Sequence, residues 1–83
     1  MRMIKKYDVE KRETIDWYVP REWVIALWNT NMDDKVNCAQ CGTKLRYGDC
    51  YTSRELFNGG GLGYGVCSLC SQKERVRLLI NNA

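Results

Sequence analysis

Histidine is absent from this chain of 83 residues. Its absence excludes metal sites that need imidazole ligands, as zinc hydrolases do, and catalytic pairs of cysteine and histidine. It also removes the commonest general base of enzymes. Proline and phenylalanine occur once each, and no apolar run reaches the roughly 18 residues that a membrane-spanning helix needs. We therefore expect a protein that is not an enzyme and does not cross a membrane.

Two other patterns that could support catalysis or phosphate binding are incomplete. Asp33 and Asp34 are adjacent carboxylates in a polar segment, which is more typical of a solvated turn than of a catalytic dyad. The glycine-rich segment 58–65 lacks the spacing of a Walker loop and leads into a cysteine pair. We expect it to be a flexible connecting loop whose apolar residues, Leu62 and Tyr64, are candidates for recognising a partner.

The small size of the chain limits the stability that its core can supply without a cross-link. A domain this small buries little apolar surface, so it often depends on a metal or on disulfides. The basic start of the sequence is not followed by the apolar core of a signal peptide, so we expect the reducing cytoplasm, where paired cysteines usually hold metal. Four thiolates around a divalent ion would lower the formal charge of +3 to about +1.

The chain carries two Cys-x-x-Cys pairs, Cys38/Cys41 and Cys67/Cys70, with 25 residues between them. Each pair can direct two thiolates to one point, and two pairs complete the tetrahedral shell that zinc prefers. The sequence therefore predicts one structural Zn²⁺ per chain, held in a closed shell; iron and a redox-active dithiol are the alternatives. The fifth cysteine, Cys50, is interpreted as a small apolar residue of a strand, with a reactive thiol or a substitute ligand as the alternative.

The local sequence around the cysteines predicts regular elements. Gly42 suits a tight turn after the first pair. Two strands, Lys44–Tyr47 and Cys50–Leu56, are expected to form a hairpin through Gly48 and Asp49. A helix is predicted over 68–81, so that the second pair lies at its first turn; its apolar stripe consists of Leu69, Val76, Leu79 and Ile80.

This order of a cysteine turn, a hairpin and a helix that begins with the second cysteine pair resembles a treble-clef zinc finger. The resemblance covers about residues 36–81 and depends on the four paired cysteines with the hairpin between them. It implies a fold and a structural zinc, and it implies no single function, because treble clefs serve in many unrelated proteins.

The first 37 residues are expected to form an N-terminal apolar arm and a short helix that pack on the four-cysteine module of residues 38–83. Alternation of apolar residues predicts a strand near Ile15–Val19, whereas residues 8–12 suit a helix or an extended arm equally. Arg21–Asn29, after Pro20, is interpreted as the short helix, with a buried strand as the alternative. The predicted fold class is therefore a single α+β domain.

Function is predicted to be binding, with two classes of partner open. The first is a larger protein, to which the chain would bind as a regulator or adaptor; we include the hypothesis that it comes from a phage or mobile element and acts on host machinery. Its candidate contact residues are Trp23, Trp28, Leu62 and Tyr64, although packing in the core is the alternative for the tryptophans. The second is a nucleic acid, for which the candidates are Arg46, Arg54, Lys73, Arg75 and Arg77.

Overall fold

The computed structural model describes residues 2–81 and shows a small α+β fold with two antiparallel sheets. Its elements in chain order are β1 (Arg2–Asp8), β2 (Glu13–Val19), β3 (Lys35–Asn37), β4 (Lys44–Arg46), β5 (Tyr51–Phe57), β6 (Gly63–Val66) and α1 (Ser68–Asn81). One sheet has the order β2-β1-β5-β6, and the other contains β3 and β4. Over residues 2–81, α1 is the only α-helix, and it is neither long nor apolar enough to cross a membrane.

The N-terminal segment is a β-hairpin built into the larger sheet. β1 pairs with β2 along its whole length, from Arg2 opposite Val19 to Asp8 opposite Glu13. The turn between them includes Arg12 at φ 56, and the Asp8 carboxylate accepts hydrogen bonds from two turn amides. The strand predicted near Ile15–Val19 is confirmed, and residues 9–12 form a turn in place of the helix or arm considered above.

The short helix predicted over Arg21–Asn29 is wrong, because this segment is extended and irregular. Its backbone carbonyls accept hydrogen bonds from residues far along the chain and not from the residues that would form the next helical turn. Asn37 N donates to Val24 O at 2.8 Å, and Gly65 N donates to Ala26 O at 2.8 Å. Ile25 and Ala26 are buried, so the segment covers the core as the alternative interpretation of a buried strand would. These tertiary hydrogen bonds outweigh a local helix preference.

The hairpin predicted through Gly48 and Asp49 is also wrong, because β4 and β5 do not pair with each other. β4 pairs with β3 across the first cysteine pair, and β5 pairs with β6. Residues 47–49 form a 3₁₀ turn between them, in which Gly48 N donates to Met32 O at 2.9 Å. The glycine loop is shorter than expected, since Gly63 already begins β6.

A tight turn at Asn58 ends β5 and starts β6. The Asn58 side-chain oxygen accepts hydrogen bonds from Gly60 N at 3.0 Å and from Leu62 N at 2.8 Å. The backbone amide of Asn58 in turn donates to Leu62 O at 2.9 Å. An asparagine that bonds to the backbone of its own turn is a common device for closing such loops. The glycine-rich segment is therefore held in one shape at its start.

β5 contains a large bulge opposite β6. Pairing runs from Thr52 opposite Gly65 to Phe57 opposite Gly63, so that four residues of β5 face a single residue of β6. The bulged backbone lies close to β6: a Cβ atom on Gly63 would come within 2.2 Å of Ser53 O. Glycine at position 63 is therefore required by this close approach, as is usual where a strand bulges.

The carboxylate of Glu74 satisfies the backbone amides that the bulge leaves unpaired. Glu74 lies on α1 and is only 6% exposed. It accepts hydrogen bonds from Ser53 Oγ at 2.8 Å and from the amides of Arg54 and Glu55. Ser53 Oγ itself accepts from Leu56 N at 2.9 Å. An acidic side chain thus joins the helix to the sheet in a place where an apolar contact is more usual.

A second buried carboxylate makes the neighbouring contact between α1 and β5. Glu55 is 1% exposed and accepts two hydrogen bonds from the Arg77 guanidinium, one of them 3.0 Å from Nε to Oε2. This two-bond geometry is the strong form of a carboxylate–guanidinium pair. Together, Glu74 and Arg77 set which face of α1 meets the sheet.

The hydrophobic core is small and includes part of the cysteine cluster. Its buried members come from both halves of the chain: Ile4, Val19, Ile25, Cys38, Ala39, Leu56, Tyr64, Val66 and Cys70. Since two of these nine residues are cysteines, the core and the cysteine cluster are one structural unit.

We predict that Glu74→Ala destabilises the fold by about 2 kcal/mol, because the bulge amides lose their acceptor inside the protein. The control is Gln72→Ala, an exposed change on the same helix, which should alter the unfolding free energy by less than about 0.5 kcal/mol. Urea unfolding followed by circular dichroism measures both. Equal midpoints for Glu74→Ala and the unchanged protein would contradict the role given to this carboxylate.

Candidate metal centre

The four paired cysteines converge from two elements far apart in sequence. Cys38 and Cys41 lie in the turn between β3 and β4, whereas Cys67 and Cys70 lie at the start of α1. Cys67 precedes the helix and accepts its first-turn hydrogen bond from Ser71 N at 2.9 Å. The positive end of the helix dipole therefore faces the sulfur atoms and favours their thiolate forms.

The distances between the sulfur atoms fit a tetrahedral metal site. All four Sγ atoms lie within 4.8 Å of one another, and Cys41 Sγ is 3.8 Å from Cys67 Sγ. A tetrahedron with zinc–sulfur bonds of about 2.3 Å has sulfur–sulfur edges of about 3.8 Å. All five cysteines are free thiols, so the cluster is not a pair of disulfides. The site is therefore positioned to bind one metal ion, and its size and ligand type suit zinc.

The thiols of the cluster differ in acidity. Burial raises the pKa of the Cys38 thiol. The backbone amides of Cys41, Cys67 and Gln40, which are directed at its sulfur, oppose this rise but do not cancel it. Burial also raises the pKa of Cys70. At Cys41 burial acts in the same direction, but hydrogen bonding with the Thr43 side chain and backbone, and then with the side chains of Cys38 and Cys70, lowers the pKa to about 6. A metal ion must displace protons from the buried thiols, so its affinity should fall as the pH is lowered.

Exposure differs across the cluster. Cys38 is 0% and Cys70 is 7% exposed, whereas Cys67 is half-buried and Cys41 is exposed. One side of the site is thus continuous with the hydrophobic core, and the Cys41 side is open to solvent. A four-sulfur shell leaves no position for water or a substrate on the metal, so the arrangement is suited to holding the fold.

Trp23 covers the turn that carries the first cysteine pair. Gly42 adopts φ 81, and a Cβ atom there would lie 2.4 Å from the Trp23 ring. Asn37 supports the same turn: its side-chain nitrogen donates to Gly42 O at 2.9 Å and its side-chain oxygen accepts from Val24 N at 2.8 Å. Gly42 was expected from the sequence, whereas Asn37 had no recognisable signal, because an asparagine next to a cysteine pair is not distinctive.

Cys50 lies outside the four-cysteine group. It follows the 3₁₀ turn, where its amide donates to Tyr47 O at 3.0 Å, and its side chain packs against Gly65 of β6. Burial raises the pKa of its thiol. This environment is that of a half-buried packing residue.

The four candidate partner-binding residues lie in different surroundings. Trp28 is 76% exposed and Leu62 is 61% exposed, and both can meet a partner. Tyr64 is buried on β6, and Trp23 is half-buried against the core and the cysteine turn. Only Trp28 and Leu62 are therefore largely open to solvent, whereas Trp23 and Tyr64 contribute to packing.

Two of the five candidate nucleic-acid-binding residues are engaged in ion pairs. Arg46 Nε lies 3.1 Å from Asp49 Oδ2, and Arg46 Nη1 lies 3.2 Å from Asp33 Oδ1. Arg77 pairs with Glu55. The remaining three are exposed, and none has a carboxylate at ion-pair distance among residues 2–81: Arg54, Lys73 and Arg75. The free positive charge in the second half of the chain is thus smaller than the sequence suggests.

Comparison of the chain with protein-family models, with curated proteins and with solved structures returns no match. Inference about function therefore depends on the geometry of the chain itself.

We predict that Cys38→Ser and Cys70→Ser abolish zinc binding and unfold the chain, since structural zinc sites contribute on the order of 10 kcal/mol. Cys50→Ser is the matched control and should keep one zinc per chain. Metal analysis after gel filtration, with circular dichroism on the same samples, measures both effects. Zinc loss in Cys50→Ser with zinc retained in Cys38→Ser would show that the ligand set is different.

The two neighbouring tryptophans provide a second matched pair. Trp23→Ala should lower the unfolding free energy by about 2 kcal/mol, because it uncovers the cysteine turn and opens space beside the core. Trp28→Ala should change it by less than about 0.5 kcal/mol, since that side chain is largely exposed. Chemical unfolding of the zinc-loaded proteins gives the comparison. The proposed cover would be wrong if the two variants unfolded at the same denaturant concentration.

Proposed function

We propose that this chain is a non-enzymatic binding module, held together by one structural zinc ion, that acts as a regulator or adaptor on a protein partner. The observation that carries the proposal is the outward face of α1. Four large aliphatic side chains on this helix are more than half exposed: Leu69, Val76, Leu79 and Ile80. An exposed apolar face of this kind is typical of a surface that another protein covers.

The inward face of the helix explains why these residues remain outside. Cys70 must face the metal cluster, and Glu74, Arg77 and Asn81 follow it at intervals of four, three and four residues, which places them on the same side of the helix. Glu74 and Arg77 are bound to β5 as described above. The helix cannot turn its apolar residues inward without breaking the cysteine cluster and both carboxylate contacts.

The metal is proposed to be zinc and the scaffold a treble clef. The order of a cysteine turn, the β5–β6 hairpin and a helix that begins with the second cysteine pair supports this assignment. A closed four-sulfur shell also supports a function on the protein surface and not at the metal. Five free thiols are suited to a reducing compartment, and we propose the cytoplasm.

A protein partner is favoured over a nucleic acid by the balance of surface chemistry. Two of the five candidate cations are neutralised by carboxylates, whereas all four aliphatic residues of the α1 stripe are free of contacts that would bury them. Nucleic-acid binding depends mainly on unpaired positive charge. The α1 face offers more apolar surface than charge.

The proposal predicts a protein complex that depends on α1. Zinc-loaded, tagged protein should capture a stoichiometric protein from lysate of the source cells, and the complex should survive nuclease treatment. The double variant Val76→Gln/Ile80→Gln should lose it, because the change removes apolar contact area without altering charge. Tyr18→Ser, an exposed change on β2, is the control and should retain it.

Direct binding to nucleic acid is the competing outcome. Duplex DNA and RNA are titrated with the same zinc-loaded protein at several salt concentrations. Tight binding that weakens steeply with salt, together with no captured protein, would contradict a protein partner and support a nucleic-acid-binding finger.

A further inference from the structure

A groove runs along the seam between β5 and α1, on the side of the helix opposite Lys73. One part of it is lined by Tyr51, Thr52, Arg54, Ser71, Glu74 and Arg75. The next part is lined by Arg54, Arg75, Leu78 and Leu79. The two arginines thus border both parts, and Leu79 connects the groove to the exposed apolar stripe of α1.

The positive charges of this groove are unpaired, whereas its negative charge is already bound within the protein. Over residues 2–81, Arg54 and Arg75 have no carboxylate at ion-pair distance. Within 2–81, Glu74 is the one acidic residue that lines the groove; it is 6% exposed, and its carboxylate is bound to Ser53 Oγ and to the bulge amides. Among the residues that the structure describes, a ligand that enters the groove therefore meets two guanidinium groups and no exposed carboxylate.

Apolar surface lies directly beside these guanidinium groups. Leu78 is half-buried and Leu79 is 74% exposed, and both line the second part of the groove. At the other end, Tyr51 is 50% exposed. Arginine next to large apolar and aromatic side chains is the composition found at the centre of protein interfaces.

Building on the proposed function, we propose that this seam groove binds an acidic peptide segment of the protein partner, with a large apolar side chain against Leu78 and Leu79 and a carboxylate between Arg54 and Arg75. Charge complementarity selects the acid, since a guanidinium binds a carboxylate through two parallel hydrogen bonds. The apolar side chains of Leu78 and Leu79 beside the guanidinium groups favour a peptide over a phosphate backbone.

A peptide selection tests this chemistry without knowledge of the partner. A library of random short peptides is displayed and selected on the zinc-loaded full chain. Enriched peptides should combine aspartate or glutamate with a neighbouring large apolar residue. Synthetic copies should bind less tightly as salt is raised, because the contact to the arginines is charged.

Charge-reversed variants locate the contact. Arg54→Glu/Arg75→Glu should weaken the selected peptides by about tenfold or more, and Leu79→Gln should also weaken them. Arg21→Glu/Lys35→Glu makes the same charge change at exposed positions away from the groove and should weaken them by less than about twofold. Thermal unfolding of each variant verifies that the fold is intact.

Several results would overturn the assignment. These are no enriched peptide, enriched peptides without acidic residues, equal loss in the two charge-reversed variants, or tighter binding to anionic vesicles or duplex DNA than to any peptide. Sedimentation of the free protein as a dimer through this face would overturn it as well. If the protein captured from lysate still binds Arg54→Glu/Arg75→Glu, the groove assignment fails while the protein-binding function stands.

Discussion

Convergence of four thiol sulfurs is the constraint on which the rest of this structure depends. It joins the turn after β3 to the start of α1, and two of the four cysteines are also buried members of the core. A chain with so few buried apolar residues gains little from packing alone, so a metal cross-link of this kind would supply much of its stability. It also fixes the rotation of α1, because Cys70 has to face the cluster.

That fixed rotation has an unusual consequence for the helix. The side that follows Cys70 carries Glu74 and Arg77, whose charges are satisfied by the bulge of β5 and by Glu55. The aliphatic residues are left on the solvent side. The charged side chains face the sheet and hold the helix in one orientation, and the apolar side chains face outward, where a partner would cover them. The requirement that Cys70 face the cluster therefore accounts for both the structural face and the proposed binding face of α1.

The sequence predicts the site better than the surrounding fold. Residue type and spacing are sufficient for the cysteine cluster and for α1, whose bounds agree with those expected. The helix over 21–29 and the hairpin at Gly48 fail because their outcome is decided by distant backbone partners, Asn37, Gly65 and Met32, which no local pattern reveals. The outward stripe of α1 could have been anticipated, since counting from Cys70 along the helix places Glu74 on the metal side.

We propose that these four sulfurs form a closed structural zinc site. X-ray absorption at the zinc edge, measured on purified protein together with metal content, tests it most directly. We expect one zinc per chain with four sulfur neighbours at about 2.3 Å and no lighter atom in the shell. A shell that contains oxygen or nitrogen, iron in place of zinc, or a folded protein with no metal would contradict it.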